Sequence, residues 1–193
     1  MESFDPTEFD PAAYGPDVAR LLEPEGDGQR LQPLTCGQAI NLQARQQLES
    51  IEPGRMFPNA KDPVAASAAL WLYFSDFEPA HELVSNSPTA ECELWHAILH
   101  RREPDSGNAA YWFRRVGAHP SYPAVARAAA GIVRRIPDAE FRIGKWDPFA
   151  FISFCERARS QPCSSQERAA MEIQRAEWQI LFDYCARPTV RNP

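Results

Sequence analysis

Proline and helix-capping residues recur at short intervals along this chain, mainly between stretches of helical period. Eighteen prolines are present. Asp62-Pro63, Ser87-Pro88 and Asp147-Pro148 each pair a capping side chain with a proline, which suits a helix start because it has no N–H to leave unpaired. Thr35 with Gln38 and Ser164 with Glu167 have capping-box spacing. Asp105 caps "SGNAAYWFRRV", which Gly117 ends, and Pro137 ends "PAVARAAAGIVRRI".

Between these signals the apolar residues recur every three or four positions. Ile40, Ala44, Leu48 and Ile51 follow this pattern, as do Ile173, Ala176, Ile180, Leu181 and Tyr184. No segment alternates as a strand would. The expected fold is therefore all-α, a single domain of about seven or eight helices stacked as antiparallel hairpins. "ALWLYFSDFEPAHELV" and "LWHAILHRREPDSGNAAYWFRRV" share one layout: an apolar helix, a polar turn, then a helix with an early alanine, Ala80 or Ala109. This is the plan of a tetratricopeptide-like helix pair, although two units do not make a solenoid. Residues 1–33 are rich in Pro, Gly and acids and read as an extended arm with one helical turn at Val18, Leu21 and Leu22. The all-helical domain is expected over residues 34–193, with its first helix from about Cys36.

Charge narrows the partners. A net charge of −6 and a pI near 5.3 argue against nucleic acid and against an anionic membrane. No apolar run approaches the roughly 20 residues of a membrane span. "MESFDPTEFDPAAYG" is acidic and lacks the apolar stretch of a secretory signal. The five cysteines are widely spaced with no CxxC pair, which suits buried thiols in a cytoplasmic protein. Sequences of the GxSxG, GxGxxG and GxxxxGK types are absent.

The chemistry is concentrated between residues 81 and 119, which hold all four histidines. His96 and His100 are four apart on one predicted helix, so one ring lies above the other. His81, on the preceding helix, can complete a set of three. Three protein ligands and an open fourth position is the layout of a catalytic zinc site, so a divalent transition metal such as zinc is the expected cofactor. Glu82 and Glu103 are candidate bases. The Glu of HExxH is missing, since Ala97 follows His96, and paired helical histidines are commonly just hydrogen-bonded. His119, before Pro120, reads as a turn residue. Cys92, four residues before His96, could serve as a nucleophile, but thiols inside helices are usually inert.

Arg101, Arg102, Arg114 and Arg115 fall on two adjoining predicted helices. They suit either a salt-bridge network or an anion pocket, and Arg102 suits a plain surface charge. Arg101, Asp105, Asn108, Tyr111 and Arg115 are the candidate ligand contacts. Trp112 shares a stripe with Ala109 and Val116 and is expected in the core, which leaves the Tyr111 hydroxyl free.

"AHE" at 80–82, "WHAILHRREPD" at 95–105, "NAAYWFRRVG" at 108–117 and "HP" at 119–120 together resemble an uncharacterised family of bacterial and fungal proteins. The likeness covers about Trp71 to Pro120. It implies that His81, Glu82, His96, His100, Arg101, Glu103, Asp105 and Asn108 belong to the family's signature. The family often has Gly where this chain has Pro104, and no activity is known for it. The leading expectation is a pocket for a small anionic or metal-containing ligand. A metal-dependent hydrolase using His81, His96 and His100 is the alternative, and a helical-repeat interaction module is a third.

Overall fold

A computed structural model describes residues 8–36 and 41–188. Among the described residues there are ten α-helices and no strand. They are α1 (Pro16–Leu22), α2 (Leu42–Glu49), α3 (Pro53–Met56), α4 (Pro63–Tyr73), α5 (Phe77–Ser85), α6 (Ala90–Arg102), α7 (Ser106–Val116), α8 (Tyr122–Arg135), α9 (Pro148–Arg159) and α10 (Ser165–Ala186). Of the two short ones, α1, of seven residues, holds the helical turn expected at Val18, Leu21 and Leu22, and α3, of four residues, is the helix not expected.

Most helix starts follow the capping chemistry. Asp62 Oδ1 accepts the Ala65 N–H at 3.0 Å, and its other oxygen accepts the Thr89 hydroxyl at 2.6 Å. Thr89 in turn caps α6 by accepting the Cys92 N–H, so one carboxylate ties two helix starts together. Ser164 accepts from Glu167 N at 3.1 Å, while the Glu167 side chain reaches back to the N–H of Cys163.

The first long helix departs from expectation. Cys36 lies in a bend, and its N–H donates to the Arg102 carbonyl at the end of α6. α2 begins only at Leu42, where Asn41 accepts from Ala44 N at 3.0 Å. Gln38 and Ile40 lie outside the described residues. The segment before residue 34 carries the short helix α1, and its Phe9, Tyr14, Val18, Leu21 and Leu22 enter the core.

α4 packs on α5 and α6 on α7, with α5 also against α6. Ala80 and Ala109 are fully buried, so the early alanines let each second helix approach its partner closely. One apolar cluster joins α1 to α7 with the C-terminal half of α10. A second joins α8, α9 and the N-terminal half of α10. α10 is thus the shared spine, about 33 Å long at 1.5 Å per residue.

The polar face of α10 is buried too, beyond the simple amphipathic expectation. Gln174 donates to the carbonyls of Gln32 and Pro33, Gln179 donates to Gly28 O, and the Tyr14 hydroxyl bonds Asp183 at 2.8 Å. The N-terminal segment lies across that face, and its loop carbonyls accept from these side-chain amides, while Gln174 Oε1 and Gln179 Oε1 stay buried without a hydrogen-bond partner among the described residues. Among the described residues, no helix is long and apolar enough to cross a membrane.

Candidate metal centre

Three consecutive helices supply the site. α6 places His96 and His100 one turn apart, with rings nearly parallel and centroids 4.9 Å apart. The connection from α5 to α6 is short, so α5 packs beside α6 and brings His81 edge-on to both rings at 83°. His81 Nε2 lies 3.1 Å from His96 Nε2. The other His81 nitrogen contacts Ser85 Oγ at 3.4 Å, one turn along α5. Taking one nitrogen from each ring, the three lie within 4.8 Å of one another. Ligands about 2.0–2.1 Å from a tetrahedral zinc are about 3.4 Å apart. The His81–His96 pair, at 3.1 Å, is close to that spacing, and the widest pair exceeds it by no more than about 1.4 Å.

α7 forms the remaining wall. The Trp112 ring stacks on His96 with centroids 4.0 Å apart and planes 19° from parallel. Trp112 is therefore only partly buried, contrary to its expected place in the core; Ala109 and Phe113, four apart, take the buried stripe instead. Tyr111 is exposed and meets Trp112 edge-on.

The electrostatics keep α6's rings neutral. Burial, then the proximity of His81 and His100, lowers the pKa of His96 to about 4. Its Nδ1 is buried with no hydrogen-bond partner, so a second proton there would find no acceptor. Burial also lowers His100, against the opposing pull of Glu103, whose carboxylate lies 3.0 Å from His100 Nδ1. Neutral imidazoles are the form that binds metal.

The other candidate residues are placed elsewhere or are engaged. The Arg101 guanidinium is buried and grips both Glu177 oxygens, at 3.2 and 2.5 Å, so it offers no surface to a ligand. Arg102 is equally buried, not a surface charge. It donates to the Leu72 carbonyl at 2.6 Å, to Gln32 Oε1 and to Ser75 Oγ. Leu72 is in the last turn of α4, whose partial negative charge stands in for a carboxylate partner. Arg115 pairs with Glu93 on the surface and lies over Trp112. Asp105 accepts both the N–H and the side-chain amide of Asn108, so each residue satisfies the other. Glu82 lines a groove formed by α2 to α5. Cys92 is fully buried, and that burial pushes its thiol pKa up, away from nucleophilic chemistry.

His119 stays apart from the other three histidines. It is buried in the turn before α8, accepts the Ser121 N–H, and packs against Tyr184. Burial lowers its pKa to about 4, with Lys61 adding to the effect and Glu91 opposing it. Two sequence signals for the site were open to reading: Ser85, one helical turn after His81, and Trp112, about 100° around α7 from Phe113.

A pH dependence follows. Unfolded imidazoles take a proton near 6.5, but folded His96 and His119 do so only near 4. The unfolded chain binds more protons between those values, so stability falls as pH drops through that window. The expected slope is up to about 1.4 kcal/mol per pH unit for each histidine. Urea unfolding at about pH 7 and about pH 5 checks this. His119→Gln should lose less stability on acidification than the unsubstituted protein, and equal losses would exclude His119 as a source.

No family model matches the chain, and no curated protein or solved structure matches it. The functional reading therefore rests on the side chains themselves.

Proposed function

We propose that this protein binds a divalent transition metal of the zinc class through His81, His96 and His100. The observation that carries this reading is the convergence of three ring nitrogens within 4.8 Å from two packed helices. The burial that keeps His96 and His100 neutral supports it, because neither ring must shed a proton at neutral pH to become a ligand. The Glu103 carboxylate, 3.0 Å from His100 Nδ1, supports it further, because negative charge beside a ring raises its basicity toward a metal. Beside His100, Glu103 is not a free base. With Arg101 tied to Glu177 and Arg115 to Glu93, the ligand is better read as a metal ion than as a free anion.

Titration with Co2+ tests the reading, since four-coordinate Co2+ gives strong visible absorption. One equivalent should develop the bands, and His96→Ala/His100→Ala should abolish them. His119→Ala should retain them. No bands with excess Co2+, or bands that survive in the double variant, would overturn the proposal.

A further inference from the structure

The donors of the trio also fix what a bound ion needs beyond them. His81, His96 and His100 offer one nitrogen each, and among the described residues no fourth histidine, cysteine, aspartate or glutamate joins the group. Cys92, one turn before His96 on α6, is fully buried outside it, and His119 packs against Tyr184. A tetrahedral ion held by three protein donors takes its fourth ligand from solution.

Charge selects that ligand. A thiolate or carboxylate donor would cancel part of the charge of a divalent ion, but three neutral imidazoles cancel none of it. The Glu103 carboxylate lies beside His100 Nδ1 and is not one of the donors, and Asp105 is already bonded to Asn108. His96 and His100 are buried and Trp112 stacks on His96, so little water is at hand on that side to screen the ion. His81 is the one ring of the three that is not buried, so solvent approaches past it, and the approach suits a ligand of a few atoms. Arg101 and Arg115 are engaged by Glu177 and Glu93, which leaves the ion as the attraction for an anion. Resting on the metal reading above, we infer that the centre takes a small monovalent anion as its fourth ligand, so that anion binding requires the metal.

The Co2+-loaded protein in halide-free buffer, with protein in slight excess over the ion, tests this. Azide and acetate should change the position and intensity of the visible bands in a saturable way, with Kd in the millimolar range or tighter. Acetamide, a neutral molecule of acetate's size, should leave the bands unchanged. Both anions should raise Tm with zinc bound and not in the metal-free protein. Bands that develop but stay the same with both anions, or that move equally with acetamide, overturn the inference and leave the metal reading standing. An equal rise in Tm without metal places the anion elsewhere and overturns it too. If no bands develop at all, the metal reading falls and the inference falls with it.

Discussion

Glu177→Ala is expected to destabilise the protein by about 3–5 kcal/mol, the usual cost of stranding one partner of a buried ion pair. For a chain of this size that lowers Tm by roughly 6–20 °C. Arg101 and Glu177 are 1% and 4% exposed, and the guanidinium also lies over the Phe151 ring, 4.6 Å from its centroid. Without Glu177 the cation has neither water nor a counter-charge. The substitution Arg101→Met/Glu177→Leu removes both charges and keeps the volume, so it should recover most of the loss. Thermal unfolding of the single and double variants checks both statements. A Glu177→Ala protein within about 1 kcal/mol of the parent would mean that water reaches Arg101.

Zinc is expected to produce the second large effect. At a free concentration 100 times its Kd, an ion that binds only the folded state adds about 2.7 kcal/mol of stability. That corresponds to a Tm rise of about 5–11 °C at neutral pH. His96→Ala/His100→Ala should show no rise at any zinc concentration. Lowering the pH toward 5 should shrink the rise in the parent protein, because protons compete with the metal for the imidazoles. A shift of equal size in the double variant would assign the effect to other groups.

The helical architecture was legible because it is written locally. Asp62, Asp105, Asp147 and Ser164 each announce a helix start within a few residues, and all four cap as expected. The start of α2 was not legible, because the Cys36 N–H is taken by a carbonyl 66 positions away in sequence, on Arg102. The histidine trio follows from a short α5–α6 connection and a four-residue spacing, both visible in the sequence. The fate of the arginines was not. Arg101 and Arg102 are adjacent, yet one meets Glu177 and the other the end of α4, and nothing near them in sequence names either partner. Trp112 shows the limit of a stripe argument, since α7 borders both the core and the histidines.

The central position of α10 sets an order on how this protein can be made. Both apolar clusters and the polar contacts of residues 28–33 close on a helix that starts at Ser165. During synthesis at about 5–20 residues per second, the earlier hairpins leave the ribosome several seconds before their spine exists. The N-terminal segment waits longest, since Tyr14 and Asp183 are 169 positions apart. Until α10 emerges, the faces of α4 and α8 that will pack on it are open to water and to other chains. The apolar faces of α4 and α8 are therefore covered only once α10 has been made, which places the closing of both clusters late in synthesis.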